Sequence, residues 1–265
     1  NRSIPGRQIK YIICDKNTDR YLGILHITSQ LFIQTNQFPV SKRHIYKKGQ
    51  HILSASVIVP TQPFGFNMLG GKLIALLATS DRIINDWKEK YNTLPVLLTT
   101  TSLFGGFSQY SGLTEWKSTG QIQSRIIFQP RSDEYKLLMK WLLFYNPRKL
   151  YEYQMNRKTN PKNKLLYYIY ERLRIPKHIQ QMNYERGTYI CAFYDNYIPF
   201  LKSEISENDL KLRWTDNSVE KKVERWKGKA EKRLNRLKCE NRLKTDIDFI
   251  DWFNDKEWSG VYASL

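Results

Sequence analysis

The sequence predicts an α+β chain in which a sheet with flanking helices is followed by a basic helical extension. Three observations carry this. β-rich apolar runs cluster early, at 9–15, 21–28, 52–59 and 95–101. From Pro130 onward the apolar spacing turns helical and is punctuated by Pro147, Pro161 and Pro176. Residues 218–244 then place Val219, Val223, Trp226, Ala230, Leu234 and Leu237 at steps of three and four, one apolar stripe on a long helix.

The elements follow in order. IKYIICD (9–15) and YLGILHIT (21–28) flank the polar turn 16–20 and read as a hairpin. ILSASVIV (52–59) is a strand stopped by Pro60, and a loop covers 60–66. A helix is expected over 67–79, with Leu69, Leu73, Leu76 and Leu77 on one face. A second, over 81–91, is capped by Ser80 or Asp81 and carries Ile83, Ile84 and Trp87. PVLLTTT (95–101) is a buried strand, 104–120 a Gly/Ser-rich loop, and QIQSRIIFQ (121–129) a further strand. Helices are expected at 132–145, 161–174 and 177–184, then a strand at 186–194, a polar connector at 203–217, the long helix, and an acidic, aromatic tail over 246–265. This gives a core over 1–130, a basic helical segment over 131–205 that returns a strand to it, and a linker, helix and tail over 206–265.

Composition narrows the class. The 265 residues hold 43 Lys+Arg against 25 Asp+Glu, a net charge of +18, with 41% hydrophobic residues, which is enough to build a core. Three runs, 21–41, 49–71 and 91–114, carry no charge and read as buried framework. The excess sits elsewhere: +8 over 131–180 and +7 over 218–245. Cys14, Cys191 and Cys239 lie far apart, so neither a disulfide framework nor a zinc site is expected, and a reducing, cytoplasmic setting is. No run reads as a membrane span or a secretory signal. No spacing argues for a metal, and no Ser-His-Asp order, HExxH or Walker loop is present, which disfavours hydrolases and kinases of known motif.

The sharpest local signal is the strand–loop–helix Val59–Lys72. Pro60 ends the strand, Gly65 frees the backbone, and Gly70 and Gly71 strip side chains from the first helical turn. The amides of a helix start can meet an anion, a pyrophosphate above all, and Lys72 can add a charge. The plainer alternative is a tight turn whose glycines serve packing. Tyr110, in GGFSQYSGLTEW, is a candidate general acid, or else packs on Trp116. His51 is the best placed of the histidines as a base, with a structural role as the alternative. Thr99, Thr100, Thr101 and Ser102 supply hydroxyls at a strand end.

The order of elements, with Gln62, Gly65 and Asn67 in a Gln-x-x-Gly-x-Asn loop, resembles the acyl-CoA N-acyltransferase (GNAT) fold. That resemblance implies a GNAT-like mixed sheet, acyl-CoA as cofactor with its phosphates on Gln62, Gly65, Asn67, Gly70, Gly71 and Lys72, and Tyr110 as the acid. Asn67 stands where that family has Gly or Ala. A closer resemblance spans about 5–205. LGGKLIALLATSDRIINDWKEKYNTLPVLLTTTS, then Tyr110, Trp116 and Gly120, then RGTYICAFYDNYIPFLKSE, is similar to the domain of unknown function of the Druantia antiphage protein A type and to uncharacterised proteins of large tailed phages. Where that family has Glu-Thr before the aromatic loop, this chain has Thr99-Thr100.

The basic segments point to polyanions. Lys162, Lys164, Arg172, Arg174 and Lys177, interleaved with tyrosines, and Lys222, Arg225, Lys229 and Arg233 on the long helix are the candidate nucleic-acid contacts. Segments 161–174 and 177–184 resemble a helix-turn-helix pair, and the stripe of 218–244 would pack on the domain or on a protein partner. The alternative is that the cations are solvated helix surfaces. The functions these readings lead to are a GNAT-like transferase acting on DNA or nucleotides in a phage or antiphage setting, a non-catalytic DNA-binding protein on the same scaffold, and a structural component of a phage complex.

Overall fold

The computed structural model describes residues 6–29, 40–103, 108–155 and 161–245. These form two compact units, one from 6–122 with 186–245 and the other from 123–185. The units do not follow the boundaries drawn from composition at 130 and 205. The chain passes between units inside two strands, and the long basic helix belongs to the same unit as the glycine loop.

The α+β class is as expected. One mixed sheet of six strands, β1 (Gln8–Cys14), β2 (Tyr21–Ser29), β3 (Ile52–Pro60), β4 (Leu97–Ser102), β5 (Lys117–Ile127) and β6 (Gln181–Ala192), runs in the order β1-β2-β3-β4-β6-β5. β1/β2, β2/β3 and β4/β6 are antiparallel. β3 and β4 are parallel, paired only from Ile52↔Leu97 to Ser54↔Thr99. A parallel pair needs a crossover. Here the crossover is helical: α2 (Phe64–Asn67), α3 (Gly70–Leu77) and α4 (Asp81–Tyr91), preceded by α1 (Lys42–Lys47) before β3.

The described parts of the charge-free runs supply much of the framework: Ile27, Ile52, Leu53, Leu97 and Leu98 are fully buried, in one cluster with Ile74, Leu76, Trp87 and Phe193 from outside the runs. β4 is buried on both faces over Leu97–Thr100, as suits a central strand. α4 sits where its cap signals put it: Ser80 precedes it in extended backbone and Asn92 ends it in the left-handed region.

The helix expected over 67–79 is interrupted. Leu69 takes φ 54°, ψ 41°, so α2 and α3 meet at an angle across a leucine in a conformation that costs about 1–2 kcal/mol.

The second unit contains α5 (Ser132–Tyr145), α6 (Pro147–Met155), α7 (Pro161–Arg172) and α8 (Lys177–Gln180). Two small cores hold it, Leu142 with Leu150, Leu165 and Ile169, and Ile127 with Leu166 and Tyr170. α6 is an addition to the expected elements, since Pro147 opens a helix instead of only closing one. Proline suits the first turn of a helix, and Asn146 caps it by accepting from the Lys149 amide at 3.0 Å. The helix expected over 177–184 is corrected to a single turn. From Gln181 the chain is strand, tied across to β5 where Gln123 donates to Glu185 at 2.8 Å. The helix-turn-helix reading falls with it.

In the first unit, α9 (Tyr197–Leu201) follows β6, and α10 (Val219–Cys239) is the long basic helix. It stops five residues short of the expected end. Asn241 is left-handed, and the amides of Asn241 and Arg242 reach back to the carbonyls of Lys238 and Leu237, a Schellman closure. Among the described residues no helix is long and apolar enough to cross a membrane. The tail 246–265 lies outside them.

Candidate functional site

The glycine loop lies between β3 and α3, and its groups are engaged inside the chain. Gln62 Oε1 accepts from the Phe66 amide at 3.0 Å. A Cβ on Gly65 would run into Pro60 and the Gln62 amide, one on Gly70 into the Phe64 ring, and one on Gly71 into the Gln109 carboxamide. These glycines therefore admit the chain's own side chains. Asn67 donates to the Lys244 carbonyl at 2.8 Å and accepts from the Lys244 amide at 3.0 Å. The Lys72 ammonium is half-buried and donates to the carbonyls of Gln109 and Ser111. Burial, helped by the charge of Lys229, lowers its pKa.

Tyr110 is buried where β3 and β4 stop pairing. Its hydroxyl meets Thr100 Oγ1 at 3.2 Å and receives a hydrogen bond from Gln109 at 3.1 Å. Its ring packs on Trp116 and Tyr189, with centroids 5.1 and 4.8 Å away. Burial pushes the phenol pKa up. Thr99 and Thr100 donate to the Leu53 and Ala55 carbonyls of β3, at 3.0 and 2.9 Å, and Gln109 donates to Ile58 O at 3.2 Å. Side chains thus complete the β3 edge beyond the backbone pairing.

His51 is not part of this cluster. It precedes β3, four residues before Ala55, or about 13 Å along a strand. Its Nδ1–H donates to Leu94 O at 2.8 Å and its ring meets Phe200 edge-on at 5.0 Å. Burial lowers its pKa below the ordinary 6.5. An unfolded chain takes up a proton here near pH 6.5, the folded chain only at lower pH. The stability His51 contributes is thus complete above 6.5 and lost as pH falls through the folded value. Thermal midpoints should fall as pH drops below about 6.5, and His51→Gln should lessen that fall.

α10 packs over the loop. The Trp226 indole donates to Met68 O at 2.9 Å and its ring lies 5.6 Å from Phe64. Arg233 lies over Phe66 at 5.0 Å. At the start of the helix Asn217 donates to Thr79 O at 2.6 Å. Lys222 is corrected from a surface cation to a core one. It is buried, with Nζ 3.0 Å from the fully buried Glu115, and Arg225 bonds the same carboxylate and Thr114. Arg225 and Arg233 thus face inward at least in part, and Lys229 faces out.

In the second unit Lys164, Arg172, Arg174 and Lys177 are exposed, and Lys162 is half-buried over the Tyr135 ring. Among the described residues no three of His, Cys, Asp and Glu converge as a metal would require.

Glu115 and Gln109 were missed in the sequence. Glu115 had a signal, being the lone acid between Glu89 and Asp133 in a chain rich in cations. Gln109 had none.

No curated protein and no solved structure matches the chain. The family model of the Druantia protein DruA matches residues 2–202, which take in all six strands, the glycine loop and Tyr110, and end before α10. The chain therefore belongs to the Druantia protein DruA family.

Proposed function

We propose that this chain is a non-catalytic nucleic-acid-binding protein on a GNAT-like scaffold, working in an antiphage or phage setting. One contrast carries the reading. The groups a transferase would turn toward acyl-CoA, Gln62, Asn67, Gly70, Gly71, Lys72 and Tyr110, are occupied by the chain's own atoms. Lys164, Arg172, Arg174 and Lys177 are exposed instead, with no carboxylate paired to them among the described residues. The scaffold is supported by the strand order, with one short parallel pair whose crossover carries the glycine loop. The antiphage setting rests on the family.

Affinity for labelled DNA, read by anisotropy, should fall steeply with salt. Changing those four cations to Ala should flatten the log–log slope by about 0.7–0.9 for each phosphate that is no longer neutralised. A flat salt response in the wild type would overturn the proposal. The transferase reading keeps one observation, the early parting of β3 and β4 beside the Tyr110 hydroxyl. A thermal shift with acetyl-CoA would restore it, and none is expected.

A further inference from the structure

We propose that the second unit takes unpaired bases, stacking them on Phe144 and Tyr151, so that its ligand is single-stranded nucleic acid. This rests on the nucleic-acid reading above and narrows it. α5 turns Leu138 and Leu142 toward the unit's small core, and the opposite face carries Leu137, Lys140 and Phe144 within about 60° of one another, with Lys136 beside them. Phe144 is 89% exposed, more than any other large apolar side chain described, and Leu137 is 68% exposed. One residue, Asn146, separates α5 from α6, whose outer face holds Arg148, Tyr151 and Met155 at helical spacing. The Arg148 side chain is 91% exposed and Tyr151 is 61% exposed.

Five of the unit's other rings are already in use. Lys162 lies over Tyr135 at 5.1 Å, Lys149 over Tyr153 at 5.4 Å, and Arg172 over Tyr168 at 5.3 Å. Trp141 and Tyr145 stack on each other at 4.7 Å and 12°. Phe144 and Tyr151 have neither ring nor cation partner among the described residues. An exposed apolar face alone would suit a protein partner equally well. Lys136 and Lys140 one turn apart on α5, and Arg148 one turn from Tyr151 and 3.5 Å from Glu152, in a segment of net charge +8, favour a polyanion. A duplex buries its base faces in its own stack, so open rings gain most from unpaired bases, each stacked base adding severalfold to affinity.

The test uses the whole chain with fluorescein-labelled oligo(dT) of about twenty nucleotides and a duplex of the same length. Oligo(dT) should bind more tightly. Phe144→Ala and Tyr151→Ala should each weaken it by about 5- to 150-fold while leaving the duplex within about twofold. Tyr151→Phe should keep wild-type affinity, and both alanine variants should melt like the wild type, as surface changes do. Equal binding of both ligands, unmoved by either alanine, would overturn this inference and leave the nucleic-acid proposal standing. Binding of neither would overturn both. Self-association that Phe144→Ala abolishes, with oligo(dT) affinity unchanged, would reassign the face to a second copy of the chain and overturn the inference.

Discussion

Glu115→Ala is expected to lower stability by about 3–5 kcal/mol, because it leaves a buried ammonium without its counter-charge. Glu115 is 1% exposed and Lys222 4%. Their 3.0 Å contact spans 107 residues of sequence and fixes the first turn of α10 to the loop before β5. Arg225 can swing to water when the carboxylate goes, since it is only half-buried. Lys222 cannot do so without moving the helix. Urea unfolding followed by tryptophan emission measures the loss. The deficit should persist in high salt, since a pair shielded from solvent is little screened. A buried pair need not be a net stabiliser, however. Replacing both partners, Glu115→Leu with Lys222→Met, should recover most of the loss, because the cost lies in the stranded charge. A single variant within about 1 kcal/mol of wild type would mean that Lys222 reaches solvent, and that it is a surface cation after all.

The burial of Lys222 shows where sequence reading stops. The helix and its stripe were legible, since Trp226, Ala230 and Leu237 are buried as their spacing required. Lys222 stands one turn before Trp226, on the edge of that stripe, yet in a run of eleven cations nothing marks it as different. Its partner, the lone acid Glu115, could be noticed but not assigned. The glycine loop divides in the same way. A strand, a glycine turn and a helix were readable from Pro60, Gly65, Gly70 and Gly71, because local backbone chemistry produces them. What fills the turn was not. Gln109 lies 37 residues beyond the lysine it helps to bury, and Lys244 lies 177 beyond Asn67. Local pattern carries no information on contacts at that separation. Prolines misled in one place and guided in another. Pro60 closes β3 as expected, whereas Pro147 opens a helix, and only the Asn146 cap before it distinguishes the two.

Trp226→Ala should cost about 3–5 kcal/mol by leaving a cavity between α10 and the loop. The indole is the link in a chain of contacts. It bonds Met68 O, its ring packs on Phe64, and the Phe64 ring occupies the space that the missing Cβ of Gly70 leaves open. The helix is tied at both ends by polar contacts that the variant keeps, Asn217 to Thr79 O and Asn67 to Lys244. It should therefore stay attached and loosen at its middle. Hydrogen exchange should rise most at the amides of 64–73, beyond the rise that the global loss imposes on β4. Pyrophosphate separates two ways in which the loop would exclude an anion. If α10 alone covers it, loosening the helix should let pyrophosphate raise the melting temperature of the variant and not of the wild type. If the loop is filled from within, by Gln62 on the Phe66 amide, Phe64 against Gly70 and Gln109 against Gly71, pyrophosphate should move neither. The second outcome is expected. Two of those three fillers come from the loop itself, and all lie within residues 2–202, which the family model matches, whereas α10 lies outside them. That outcome would assign the exclusion of an anion to the core of the fold and not to the helix laid over it.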